Sequence, residues 1–113
     1  MSTSYVTEEL DRDVMTIGAT TTALSKTFVV YGWNQKMLLI LSDQQVVVTI
    51  MYTLQTQHAP QDALFFPLST AKNVTLLAGE IIPFGVEDPV QFVKVKVVTT
   101  NPSEVQILAL GSR

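Results

Sequence analysis

The chain contains no cysteine and a single histidine, His58. The absence of cysteine excludes a disulfide framework, a thiolate metal site and a cysteine nucleophile. One histidine cannot form a histidine-based metal cluster, and no Gly-x-Ser-x-Gly sequence marks a serine nucleophile that it could activate. We interpret His58 as an exposed loop residue. The sequence therefore predicts a protein that is not an enzyme and holds no cofactor and no metal.

Charged residues are also few, at 15% of the chain, while hydrophobic residues make up 47%. Soluble proteins usually carry ~25% charged residues, and a small domain exposes much of its chain. The scarcity of charge favours a surface partly covered by partner subunits, and the alternative is a monomer with an unusually apolar surface. The net charge is −3 and the basic residues are scattered, so we expect no nucleic-acid partner.

Long hydrophobic runs are missing as well. No run approaches the ~20 apolar residues of a membrane helix, and the first residues, from Met1 to Val6, lack a basic segment followed by an apolar one. We expect neither a membrane partner nor a signal peptide.

The most prominent stretch that is present runs from Val46 to Gln55 and is rich in β-branched residues. Branched side chains fit a pleated sheet and crowd a helix, so the stretch predicts a long central strand. Its alternate residues are apolar and predict the face toward the core, namely Val46, Val48, Ile50, Tyr52 and Leu54.

Short strand-like segments separated by turn residues fill most of the remaining chain. Val93, Val95 and Val97 alternate with lysines, which predicts a strand with one solvated face, and the turn at 100–103 predicts a hairpin with the last strand. Gly79 suits a tight turn that needs positive φ. We expect an all-β, antiparallel β-sandwich of jelly-roll-like form, with about eight or nine strands and no significant helix.

The domain is expected to span residues 14–113, preceded by an N-terminal arm at residues 1–13. The arm is polar and acidic, and nothing sustains the short helical turn that could start at Thr7. Such a segment is either pinned by a neighbouring subunit or a frayed terminus.

Other candidate sites in the sequence have simpler interpretations. Glu87 and Asp88 could bind Ca²⁺, but they lack Asp-x-Asp-x-Asp spacing, and Glu80 and Glu104 read as solvated carboxylates. Trp33, with Tyr31 and Tyr52, could form a sugar-binding platform, although core capping or a subunit contact is the favoured interpretation. The Asn73-Val-Thr75 sequon reads as chance.

Several residues in the predicted loops and short strands are more apolar than surface loops need. They belong either to the core or to an inter-subunit patch, and Pro67 and Pro83 on edge strands would oppose open-ended sheet growth. The possible interface residues are Trp33, Phe65, Phe66, Ile81, Ile82 and Phe84.

The order of segments from Val46 to Leu110 resembles that of small structural proteins of tailed-phage virions. The matching parts are the Val46–Gln55 strand, a Leu-Ala-Gly-Glu turn at 77–80 and the Val-Lys-Val-Lys-Val strand at 93–97. The resemblance implies an accessory capsid protein of the cement or decoration type, located on the capsid surface. Such proteins commonly form homotrimers that bridge neighbouring major capsid subunits.

Some receptor-binding head-fibre domains and carbohydrate-binding domains share the same layout. A receptor- or glycan-binding module is therefore the alternative function. The resemblance carries no fixed motif, so no functional residue is transferred from it.

Overall fold

The computed structural model describes residues 7–30, 35–53, 65–67, 73–86 and 92–112. These residues form ten β-strands. In chain order they are β1 Thr7–Ile17, β2 Thr21–Leu24, β3 Phe28–Val29, β4 Gln35–Ser42, β5 Val46–Tyr52, β6 Phe66–Pro67, β7 Val74–Leu76, β8 Ile81–Gly85, β9 Phe92–Thr99 and β10 Ser103–Ser112. Within these ranges no helix is long and apolar enough to cross a membrane.

The strands form two antiparallel sheets. The four-stranded sheet has the order β1-β10-β4-β8, and the six-stranded sheet has the order β2-β9-β5-β6. The short strands β3 and β7 join the second sheet beside β2 and β6, through pairing with β9 and β5. The expected all-β antiparallel fold is confirmed, with ten strands in the described residues instead of eight or nine.

Six connections cross from one sheet to the other, namely β1 to β2, β3 to β4, β4 to β5, β7 to β8, β8 to β9 and β9 to β10. Successive strands of one sheet therefore lie over their chain neighbours in the other. Four of the crossings are hydrogen-bonded in pairs: Thr20 N–H donates to Thr100 O at 3.1 Å, and Gly79 N–H donates to Ser42 O at 2.9 Å. This pairing of strand orders is the connectivity of a jelly roll.

The predicted hairpin of β9 and β10 is wrong, because the two strands lie in different sheets. Two consecutive strands that lie in different sheets form a β-arch. Both strands of this arch direct alternate residues into the same core, from opposite sides, so alternation alone does not distinguish the arch from a hairpin. The arch is closed by hydroxyl groups: Ser103 Oγ donates to Asn101 O at 2.7 Å and also lies 2.7 Å from Thr99 Oγ1.

The core lies between the sheets and is built almost entirely from aliphatic side chains. Its residues are Met15, Ile17, Phe28, Val30, Leu38, Ile40, Val46, Val48, Ile50, Leu76, Val93, Val95, Val97, Val105, Ile107 and Ala109. The predicted core face of β5 is confirmed at Val46, Val48 and Ile50, and the predicted positive φ at Gly79 is confirmed at 77°. Leu54 lies outside the described residues.

Residues 7–13, which the sequence assigned to the arm, belong to β1 and pair with β10. A bulge between Glu9 and Asp11 shifts the register, so the acidic residues do not fall into one alternating pattern. Because of this bulge, the sequence of β1 lacks the regular alternation that predicts a strand.

The lysine face of β9 is not solvated at Lys94, contrary to the sequence prediction. Lys94 is only 5% exposed, and its Nζ donates to Ser25 O at 2.8 Å. The same ammonium lies 5.5 Å from the centre of the Phe65 ring, a cation–π contact. Phe65 forms a second small cluster with Met51 and Phe92, which covers this end of the six-stranded sheet from outside.

Ser25 connects β2 and β3 to β9 through its side chain. Val95 N–H donates to Ser25 Oγ at 2.8 Å, and Ser25 N–H donates to Val95 O at 2.9 Å. The Ser25 hydroxyl therefore supplies the acceptor that a continuous strand would otherwise provide.

Replacing Ser25 with alanine should lower the free energy of unfolding by about 1–3 kcal/mol, because the buried Val95 N–H loses its acceptor. Denaturant unfolding followed by circular dichroism measures the change. The control is Thr22→Ala, an exposed position on β2 that should change stability little. An equal loss in both variants would contradict this role of Ser25.

Candidate interaction surface

The outer face of the four-stranded sheet is unusually apolar. Alternation along β4, β8 and β10 directs one set of residues into the core and leaves the other set on the outside. We define the apolar face as the outward apolar residues of all four strands, namely Val14, Met37, Leu39, Leu41, Ile81, Pro83, Leu108 and Leu110.

The strand register aligns these residues into rows that cross the sheet. One row places Leu41 between Gln106 and Ile81, and the next places Leu39 between Leu108 and Pro83. Rows of this kind bring side chains within contact distance across neighbouring strands. The result is a continuous apolar surface instead of scattered exposed residues.

Part of the apolar face is strongly exposed and part is already packed. Ile81 is 62% exposed, Val14 56% and Met37 39%, while Leu39 and Leu108 are half-buried. A shallow depression runs over the centre of the face and is lined by residues of all four strands. Contiguous apolar patches of this kind on a soluble domain mark interaction sites.

Charge on the outward side of the sheet lies along β1 and at one end of β10, where Glu104 faces outward. Arg12 hydrogen-bonds and ion-pairs with Glu9, and this hydrogen bond together with the nearby negative charge raises the pKa of Arg12 above its ordinary value.

Asp11 and Asp13 lie on the other side of β1, opposite the core-facing Ala109 and Ile107. Asp11 pairs with Lys26, and Asp13 accepts a hydrogen bond from Lys26 N–H at 3.0 Å. The charges along β1 are largely matched within the chain.

The two edge strands of this sheet are poor templates for adding another strand. Val86 N–H donates to Lys36 O at 3.1 Å, and alternation of the antiparallel ladder then turns the nitrogen of Pro83 to the open side of β8. Proline offers no donor there, and β1 carries several charged residues along its length. Contact through the face is therefore favoured over contact through the edges.

The structure does not bring the sequence-predicted interface residues together. Ile81 lies on the apolar face, while Phe66 is 61% exposed on the six-stranded sheet. Phe65 is 4% exposed in the second cluster, and Ile82 and Phe84 are half-buried against the core. Trp33 lies outside the described residues.

Most of the apolar face was missed in the sequence. The available signal was the run from Met37 to Leu41, which is apolar at every position and so supplies an apolar residue to both faces of β4. A strand with one solvated face alternates instead.

Most residues of the alternative sites are not among those that the structure describes. His58, Tyr31, Glu87 and Asp88 lie outside the described residues, and Tyr52 is half-buried against the core. Among the described residues, no group of three or more histidine, cysteine, aspartate or glutamate side chains is placed to hold a metal ion.

Comparison of the chain with protein-family models, with curated proteins and with solved structures finds no match.

Proposed function

We propose that this chain is a non-enzymatic structural protein of a virion, an accessory capsid protein of the cement or decoration type. It acts as a homotrimer on the capsid surface and stabilises the shell by bridging neighbouring major capsid subunits. The proposal combines the tailed-phage resemblance of the sequence with the surface described above.

The observation that carries the proposal is the apolar face. A protein whose role is to join subunits needs a surface that releases water on contact, and the outward aliphatic residues of four strands provide one. Burial of such residues favours association by roughly 25 cal/mol per Å² of apolar surface. The jelly-roll connectivity agrees with the proposal, since this architecture recurs in viral capsid domains.

Several copies joined in one oligomer suit attachment to a lattice. Once one copy has bound, the others meet their sites at a high effective concentration, so modest single contacts add up to tight attachment. Binding of this chain stabilises the shell against unfolding, because the chain binds the folded capsid subunits and not the unfolded ones.

The experiment that tests the proposal uses virus particles from the source of the chain, purified on a density gradient. We expect mass spectrometry to find the chain in the particles at a fixed ratio to the major capsid protein. Particles stripped of the chain by mild denaturant should melt at a lower temperature, and adding back the recombinant chain should restore the original melting temperature. Serum albumin added in the same amount is the control.

Absence of the chain from purified particles would overturn the proposal. Failure of the recombinant chain to rebind stripped particles, together with specific binding on a glycan array, would favour the receptor- or glycan-binding alternative.

A further inference from the structure

We infer that the apolar face is the contact between copies of this chain, and that a second copy covers it in the assembled protein. The inference rests on the self-association in the proposed function and assigns that association to a surface. It leaves the contact with the shell to other parts of the molecule.

The size of the face agrees with a contact between subunits. The four strands have 11, 10, 8 and 5 residues, and neighbouring strands lie ~4.8 Å apart and rise ~3.4 Å per residue, so the sheet presents a flat area of roughly 550 Å². Each partner of a standard stable interface contributes about 800 Å². The sheet face with its surrounding side chains therefore approaches the area that a stable oligomer needs.

The charges on the face permit a copy of the same chain as the partner. Glu9 and Arg12 form an ion pair within one chain, so the rim along β1 presents both signs of charge together. A second copy brings the same matched pair, and the further outward carboxylate, Glu104, lies at one end of β10, which limits like-charge repulsion over the centre of the face. A strongly charged partner would find little on this face to complement it.

The apolar residues reach both edges of the sheet, but only the β8 edge is free of charge. They run from Leu108 on β10 through Leu39 on β4 to Pro83 and Ile81 on β8, whereas on β1 Val14 lies close to the Arg12–Glu9 ion pair. The contact therefore extends around the β8 edge, where Pro83 prevents the edge from growing into a continuous intermolecular sheet. This arrangement leads to a closed oligomer with packed side chains.

The six-stranded sheet offers a matched control. Met37 on β4 and Val98 on β9 are 39% and 40% exposed, and each lies on an inner strand of its sheet and faces outward. A lysine at either position should lower the folding stability of the isolated domain only a little, because its side chain can reach solvent. Only the lysine at position 37 would be buried by a copy covering the apolar face.

The test is the solution mass, measured by light scattering after size exclusion, of the full chain and of three variants. We expect an oligomer of the 12.5 kDa chain for the wild type and for Val98→Lys, and loss of the oligomer to monomer for Met37→Lys and Ile81→Lys. Circular dichroism must show that all four proteins are folded.

A second measurement covers the case in which a lysine variant fails to fold. The chain has no cysteine, so Met37→Cys and Val98→Cys each carry a single reactive thiol. Maleimide labelling of Met37→Cys should be slow at concentrations where the oligomer forms and fast after dilution, whereas Val98→Cys should react at one rate throughout.

A wild-type chain that stays monomeric at all concentrations would overturn the inference. So would Met37→Lys and Val98→Lys behaving alike, whether both stay oligomeric or both dissociate. A monomeric chain whose rebinding to stripped particles is abolished by Met37→Lys would show that the shell covers this face. A monomeric chain would also remove the homotrimer from the proposed function, but the role in the capsid is tested separately, by the presence of the chain in particles.

Discussion

Replacement of Phe28 with alanine is expected to lower the free energy of unfolding by about 3–5 kcal/mol. Phe28 is fully buried, although it lies in a strand of only two residues. Its ring belongs to the core between the sheets, and its backbone pairs with Val93 on β9. Alanine would remove the ring and leave a cavity that the rigid strands on either side can fill only in part.

A loss of this size is a large share of the stability of a small domain, which is typically 5–15 kcal/mol. Denaturant unfolding followed by circular dichroism gives the value. The control is Val29→Ala on the same short strand, where the side chain is 46% exposed and the loss should be small. If Phe28→Ala cost no more than Val29→Ala, the described position of β3 over the core would be wrong.

The sequence predicts the fold class because the strands are short, branched and bounded by turn residues. It also predicts the core face of β5, because Thr49, Thr53 and Gln55 alternate with apolar residues in the stretch from Val46 to Gln55. It could not predict which strands share a sheet. Val95 and Ile107 alternate toward one core in the same way whether their strands form a hairpin or an arch, and only the pairing of β9 with β5 decides.

The buried Lys94 shows a second limit. A lysine between valines indicates a solvated face, and its burial depends on Ser25 and Phe65, which lie far away in the chain. Contacts between residues so distant in sequence leave no trace in a local pattern. The prediction of a solvated Lys94 is therefore wrong, because Ser25 and Phe65 cover the sheet at this position.

The candidate surface was hidden for a related reason. β4 is apolar from Met37 to Leu41, so the sequence cannot tell which residues face the core. Pairing with β10 and β8 settles this, because Leu38 and Ile40 share the inner face with Ile107 and Ala109. The sequence does show that β4 has more apolar residues than one core-facing side can hold. The others need a contact partner other than the core.

Two neighbouring leucines on β4 should therefore behave very differently when each is replaced by alanine. Leu38 is fully buried in the core, and Leu38→Ala should lower the free energy of unfolding by about 2–5 kcal/mol. Leu39 is half-buried on the apolar face, and Leu39→Ala should cost the isolated domain about 1 kcal/mol or less. Both variants remove the same atoms from the same strand, so the difference reports the environment alone.

Unfolding of both variants should be measured over a range of protein concentrations. Stability contributed by association rises with protein concentration, whereas stability contributed by the core does not. Leu38→Ala should lower stability equally at every concentration. Leu39→Ala should reduce the part that rises with concentration, because its side chain lies at the contact between copies. Equal losses at low concentration would mean that the register of β4 is shifted by one residue, which would exchange its two faces.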